Sequence, residues 1–399
     1  MPADPFAATR ALFDLPEGVV YVDGNSLGPA PKAALAAVRE AAERDWAGKL
    51  IRGWNEAGWI DLPARAGARI ARLIGADPEG VRVCDATSVN LFKVLSAALA
   101  LRPDRRVILS DEGNFPTDLY VAENLARALG RGHELRTVAP EAVAQAIGAD
   151  TAVLMLTEID YRTGRRHDMA ALTAKAQAAG ALTVWDLAHS AGAFPVDLAG
   201  AGADFAVGCG YKYLNGGPGA PAFLYVAPKW RAEAAPALAG WFGHAAPFAF
   251  EPGWRPAEGM DRMLTGTPPV LSMVALEAAL GVWEGVDLAA LRARSVALTE
   301  RFIAEVEAGC PQLALASPRD PEARGSQVSF RHPEGYAVMQ ALIARGVIGD
   351  FRSPDILRFG FAPLYVTEAD VSAAAAVLSE VLATGAWDRP EFRARARVT

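Results

Sequence analysis

One lysine stands out by its setting: Lys212, in GCGYKYLNGGPGAPAFLYV (208–226), lies between two tyrosines and ahead of a glycine- and proline-rich turn. A lysine in such a turn is ordinarily a solvated loop residue. Its flanks speak against that here, because DFAVGCG (204–210) and AFLYVAP (222–228) are short apolar runs ending in turn signals. They read as two buried strands joined by a structured loop. In so cramped and apolar a place an ammonium is costly to keep charged, and a neutral lysine amine is the nucleophile that forms Schiff bases with carbonyls. The chemistry to look for is that of a carbonyl cofactor.

Other residues could hold one. The run LTVWDLAHSAGA ends in Asp186 and, three residues on, His189. A D-x-x-H pair could be half a metal site, but the histidines (133, 167, 189, 244 and 332) form no H-E-x-x-H or similar cluster, so no metal is expected. It could also be the Asp–His pair of a hydrolase, yet no G-x-S-x-G elbow supplies the serine. Pyridoxal 5'-phosphate (PLP) uses both observations: Lys212 bonds its aldehyde, and Asp186 keeps a proton on the pyridine nitrogen so that the ring acts as an electron sink. Upstream, CDATSVNLFKVL (84–95) places Thr87 and Ser88 at the start of a helix, which is either a plain cap or a phosphate cradle of hydroxyls, N–H groups and helix dipole. DEGNFPTD (111–118) supplies Phe115, which could stack on the pyridine, with Asp118 nearby.

These groups need a scaffold that delivers them to one place. Seven apolar runs alternate with helix-like segments between residues 80 and 230: VRVCDA, RVILSD, HELRTV, TAVLMLTE, LTVWDLA, DFAVGCG and AFLYVAP. The alternation predicts an α/β fold with a mostly parallel seven-stranded sheet, helices on both faces, and ligands beyond the carboxyl ends of the strands. A helical region follows from about residue 270, then a smaller α+β segment with strands near SQVSFRH and DILRFGFAP. The expected division is an N-terminal arm (1–60, part of the small domain), a large cofactor-binding domain (61–270) and a C-terminal small domain (271–399).

Composition bounds the partners. The 399 residues are 52% hydrophobic and 21% charged with a net charge of −7, an ordinary globular balance with no basic block for nucleic acid or anionic membranes. No apolar run reaches the ~20 residues of a membrane span, and MPADPFAATRALFDLPEG does not read as a leader, so the expected location is cytoplasmic. Cys84, Cys209 and Cys310 are too widely spaced for a disulfide framework or a zinc site and read as core thiols.

Taken together, YVDGNSLGP (21–29), IRGWNEAGWIDLP (51–63), WDLAHSAGA (185–193), YKYLNGGPGAPAFLYV (211–226) and GWFGH (240–244) closely resemble the kynureninase family, nearly end to end. These are PLP enzymes of aminotransferase fold type I that hydrolyse the Cβ–Cγ bond of L-kynurenine to anthranilate and L-alanine. The resemblance implies that Thr87 and Ser88 hold the phosphate, with Tyr211 beside it as candidate proton donor, and that Phe115 stacks on the ring. Asp118 and Thr157 come next to it, Asp186 and His189 surround the pyridine, and Lys212 bonds the aldehyde. Trp241 and Thr267 would reach the cofactor from the neighbouring subunit of a homodimer. Arg358, in DILRFGFAPLY, falls where the family binds the substrate α-carboxylate, and an arginine offers a planar fork suited to that task. Ser26 and Trp54 are the further substrate residues. Animal members, which favour 3-hydroxykynurenine, carry histidine and asparagine where Trp54 and Thr267 stand, so the expected preference is for L-kynurenine. Two rivals stay open on the residues alone. A desulfurase would need an accessible cysteine, for which Cys310 in EAGCPQL could serve, and a non-catalytic PLP-binding protein need not keep Arg358.

Overall fold

Each of the seven apolar runs forms a strand of a single sheet in the computed structural model, which describes residues 5–395. Residues 1–4 and 396–399, the extremes of the expected arm and small domain, lie outside the described residues. After a short β1 (Val20–Tyr21) come β2 (Val81–Val83), β3 (Val107–Asp111), β4 (Glu134–Val138), β5 (Thr151–Thr157), β6 (Leu182–Asp186), β7 (Phe205–Gly208) and β8 (Phe223–Val226). The order across the sheet is β2-β8-β7-β6-β5-β3-β4. All pairs are parallel except those of β8, which runs opposite to both its neighbours.

The central strands are largely apolar and buried because both faces of the sheet are covered there, whereas the edge strand β4 (ELRTV) is partly exposed. In β5, Val153 and Met155 pack into one buried cluster while Leu154 and Leu156 pack into the other. Helices such as Thr87–Ala100 and Met169–Ala178 supply those layers. Asp111, Thr157 and Asp186 all terminate strands at the same edge.

Beyond the long helix Leu288–Gly309 lie β9 (Ala314–Leu315), β10 (Gln327–Arg331), β11 (Val347–Ile348), β12 (Asp350–Arg352) and β13 (Ile356–Gly360). Four of them make a second sheet in the order β12-β13-β10-β9. Residues before β2 are tied to this part of the molecule: β1 pairs in parallel with β11, Asp23 bridges to Gly360, and the Phe13 ring meets the Tyr365 ring edge-on at 5.1 Å.

The same arm also backs the Lys212 loop. Gly28 N–H donates to the Tyr211 carbonyl at 2.8 Å, and a Cβ on Gly28 would lie 2.3 Å from the Lys212 carbonyl oxygen. Only a glycine fits there. Within the loop, Gly216 N–H closes onto the Gly210 carbonyl at 2.8 Å, and a Cβ on Gly216 would meet that oxygen at 2.7 Å. The glycines of this stretch thus let two backbone segments touch and so set where Lys212 points.

Candidate active site

A pocket opens at the carboxyl edge of the large sheet, and the residues expected to hold a cofactor line it. Asp186 comes from the end of β6 with His189 just beyond it, Thr157 from the end of β5, and Tyr211 and Lys212 from the loop after β7. Across from them are Thr87, Ser88, Phe115 and Asp118. Thr87 and Ser88 occupy the first turn of the helix Thr87–Ala100, whose N-cap is Ala86 with no side-chain cap bond. Their hydroxyls are therefore not spent on capping, and the unpaired N–H groups of that turn face an anion-binding position.

Lys212 Nζ lies 2.9 Å from His189 Nε2. Burial, then the positive charges of Lys212, Arg358 and Arg352, push His189 well below the usual histidine range, so its ring is neutral. His189 Nδ1 is a buried atom with no hydrogen-bond partner among the described residues. Lys212 itself is half-buried among these polar groups, which corrects the expectation of an apolar enclosure: the flanking strands are apolar, but their ends are not.

Asp186 Oδ1 accepts the Ala188 N–H at 2.7 Å. Burial raises Asp186 above the usual carboxylate range, against the charge of Lys212 and hydrogen bonds from Ala188 and Asp118. Asp118 is raised well above it, by burial first and then by the Asp186 charge. The two carboxyls are hydrogen-bonded to each other, and of the two Asp118 is pushed up the further. Thr157 Oγ1 in turn reaches Asp118 Oδ2 at 3.4 Å and Asn114 Oδ1 at 2.5 Å. Burial also raises the half-buried Tyr211, so its phenol is protonated, and its ring lies 5.8 Å from Lys212 Nζ. Lys93, the other lysine near this edge, is fully buried and ion-paired with Asp85 at 2.6 Å.

Arg358 and Ser26 sit together in an adjoining corner. Arg358 is 1% exposed, in β13, and its Nε donates to Asp350 Oδ1 at 2.5 Å while Nη2 reaches Ser26 Oγ at 2.9 Å. Nη1 donates to the carbonyl of Tyr161, a residue that lines the Lys212 pocket and meets Phe115 edge-on at 5.2 Å. The corner and the pocket thus share a wall. The ion pair is not the surface salt bridge that an isolated arginine suggests, since Asp350 is 2% exposed.

Three expected residues stay out of this pocket. Trp54 packs edge-on against Trp59 at 6.0 Å and tilted against Phe242 at 6.2 Å. Trp241 stacks edge-on against Phe242 and Phe248 and remains exposed, and Thr267 is exposed as well. Sequence reasoning also passed over Tyr161, Asn114 and Asp350. Tyr161 lies four residues beyond Thr157, in LTEIDYRTG, and Asp350 faces Arg358 across a hairpin whose turn, SPD, is legible in DFRSPDILR. The three cysteines are core thiols as expected: Cys310, which closes the helix Leu288–Gly309, is buried, as are Cys84 and Cys209. A desulfurase-type accessible thiol is thus missing from the described residues. Among those residues no group of His, Cys, Asp and Glu is arranged for a metal, and no helix is long and apolar enough to cross a membrane.

The fold is shared with solved structures at low identity. A cysteine desulfurase of Thermococcus onnurineus is 20% identical with a TM-score of 0.81, covering 94% of this chain and 98% of that one. The cystine C–S lyase C-DES, with glycine covalently linked to its PLP cofactor, is 20% identical with a TM-score of 0.80 over 93% and 99%. The architecture is that of the PLP-dependent enzymes of fold type I. Within that class the sequence is more specific: a kynureninase of Pseudomonas fluorescens is 54% identical over 99% of this chain and 97% of its own length, and one of Burkholderia mallei is 52% identical over the same shares. Residues 291–378 match the kynureninase C-terminal domain. The chain belongs to the kynureninase family.

Proposed function

We propose that this chain hydrolyses the Cβ–Cγ bond of L-kynurenine to anthranilate and L-alanine with pyridoxal 5'-phosphate as cofactor, L-kynurenine being preferred over its 3-hydroxy form. One observation carries the reading: Lys212, His189 and Asp186 meet at the strand ends opposite the free hydroxyls and helix N-terminus of Thr87 and Ser88. That donor set fits PLP part by part, with hydroxyls and N–H groups for the phosphate, a carboxylate for the ring nitrogen and an amine for the aldehyde. When bound, PLP supplies an electron sink for the bonds at the substrate's α-carbon.

The protein's own groups do the rest. Asp186, hydrogen-bonded to Asp118, would keep a proton on the pyridine nitrogen, and the carboxylate's raised pKa is offset once a cation lies against it. Lys212 Nζ takes the α-proton of the substrate, and the neutral His189 beside it accepts a hydrogen bond without adding a charge. Phe115, held edge-on by Tyr161, flanks the ring, while Thr157 links to Asp118. Water adds to the γ-carbonyl carbon, the Cβ–Cγ bond breaks, and the phenol of Tyr211 protonates Cβ. Arg358, with Ser26 at its fork, binds the α-carboxylate.

Trp241, Trp54 and Thr267 serve this pocket only if a second copy supplies part of it, and the exposed aromatics Trp241, Phe248, Phe250 and Trp254 support a homodimer with shared sites. A large domain of 61–270 with a small domain of 271–399 and the arm 1–60, and a cytoplasmic location, complete the proposal. The test is direct. Purified holoenzyme mixed with L-kynurenine should show a shift of the cofactor absorbance band followed by fluorescent anthranilate and an equal yield of L-alanine. A band that shifts without anthranilate would leave a binding protein, and release of sulfur from L-cysteine instead would leave a desulfurase.

A further inference from the structure

The corner around Arg358 holds more charge than one arginine needs. Pairing of β12 with β13 sets Asp350 opposite Arg358, and both edges of the carboxylate are used: Nε on Oδ1 at 2.5 Å, Nη2 on Oδ2, and Arg352 Nη2 on Oδ2 at 2.9 Å. One carboxylate thus serves two guanidinium groups. A second carboxyl group, Asp23, comes in from the arm just before Gly24, beside the hydroxyl of Ser26, which donates to Asp350 and accepts from Arg358. Asp23 Oδ1 is buried and has no hydrogen-bond partner among the described residues. Neighbouring carboxyls do not both ionise cheaply, and here the arginine contacts give the charge to Asp350 and leave the proton on Asp23. Burial and then the Asp350 charge raise Asp23 to about 8, whereas Asp350, although buried, is held below the usual range by the hydrogen bond and charge of Arg358.

We propose that Asp23 sets the net charge of the corner that takes the substrate α-carboxylate. As the neutral acid it leaves two arginines against one carboxylate, a single positive charge that an α-carboxylate neutralises. As the anion it cancels that charge and competes with the substrate for the same guanidinium groups. Asp23 is a positioning residue in this scheme, acting through Arg358, and the inference rests on the reading of Arg358 as the carboxylate binder.

The other ionisable groups around Asp23 do not change state in the same range. Tyr21 on β1, Tyr213 on the Lys212 loop and Tyr365 beyond β13 are all pushed up by burial and stay protonated. Arg358 and Arg352 stay charged, and His189, on the far side of the arginines, stays neutral.

The test follows KM, kcat and the calorimetric Kd of L-alanine, a product with the same α-carboxylate, on the holoenzyme from about pH 7 to about pH 9.5. In the wild type KM and Kd should rise roughly tenfold as Asp23 ionises, with kcat moving less. Asp23→Asn should flatten that rise, and Asp23→Glu should restore it. A wild type with no rise, or an Asp23→Asn variant that keeps it, overturns the inference. Arg358→Leu separates the two readings: if it binds L-alanine as the wild type does, the carboxylate site lies elsewhere; if it binds weakly while Asp23→Asn keeps the wild-type curve, only the role of Asp23 falls. Should Asp23→Asn fail to fold, the wild type still decides through the decarboxylated amine of L-kynurenine used as an inhibitor. Its inhibition constant should lack the tenfold rise, and an equal rise would overturn the inference.

Discussion

Around Lys212 the groups that could do chemistry meet one another within one chain: lysine on histidine at 2.9 Å, carboxyl on carboxyl, threonine on asparagine at 2.5 Å. Around Trp241 they do not. There the rings of Trp54, Phe242, Trp241 and Phe248 lean on one another at 6.2, 4.9 and 5.8 Å, and the series ends in solvent with Phe248 67% and Phe250 79% exposed. Burying polar groups is costly unless they satisfy each other, so most members of this pocket are already paired, while the hydroxyls of Thr87 and Ser88 stay uncommitted. An apolar face carries no such demand on its own chain, and it gains only when something covers it. On the proposed function, the first region carries the reaction and the second is the place for ring selectivity and subunit pairing.

The sharpest way to break the first region is Lys212→Ala. We expect turnover to vanish, because the other nearby lysine, Lys93, is locked on Asp85 and Met263 and cannot replace it. Reduction with borohydride should then fail to attach cofactor to the chain, and a variant that still becomes labelled and active would place the chemistry elsewhere. Arg358→Leu comes next. It removes one side of a buried charge pair, at a cost of about 2–5 kcal/mol in substrate binding, so KM should rise strongly while the cofactor spectrum stays.

Trp54→His combined with Thr267→Asn tests the aromatic region. The indole offers a large apolar face and one donor, so a ring hydroxyl against it gives up water without a new partner, at roughly 1–3 kcal/mol. We expect kcat/KM for L-kynurenine to exceed that for 3-hydroxykynurenine by about tenfold, some 1.4 kcal/mol, and the double variant to narrow or reverse the ratio. An unchanged ratio would reduce Trp54 to a packing residue beside Trp59. The smallest effect is the most direct on the comparison itself. Mixing inactive Lys212→Ala subunits with inactive Trp241→Ala subunits should recover about a quarter of the wild-type rate, because half of the dimers formed at random are mixed and each has one intact site. No recovery after proven exchange would return Trp241 to its own chain.

Much of the scaffold was legible because strands buried in the middle of the sheet read as short apolar runs alternating with helix-like segments, and all seven strands could be named. Strand ends then gave Asp186, His189 and Lys212. The short strands β1, β9, β11 and β12, of two or three residues each, carry no pattern long enough to read and are held by register alone. Asp350 and Asp23 escaped for a related reason: neither stands at the end of a large-sheet strand, and their meaning comes from a hairpin and an arm that bring them to Arg358. The setting of Lys212 was misjudged from its neighbours in sequence, which are apolar, whereas its neighbours in space come from the ends of two other strands and from two helices. The Gly and Pro flanks of Cys310, which left the desulfurase rival open, mark the end of a helix and not exposure.

The parallel pairing of Val20 with Val347 has a consequence for how the protein is made. During synthesis β1 leaves the ribosome more than three hundred residues before the strand it must lie beside. Throughout that interval the large sheet can assemble, but the backbone of Gly28 has no fixed place from which to brace the lysine loop. A nascent chain halted after β8 would thus own nearly every cofactor ligand without the wall that aims them, and competence arrives late, in one step, with the closure of a very long loop.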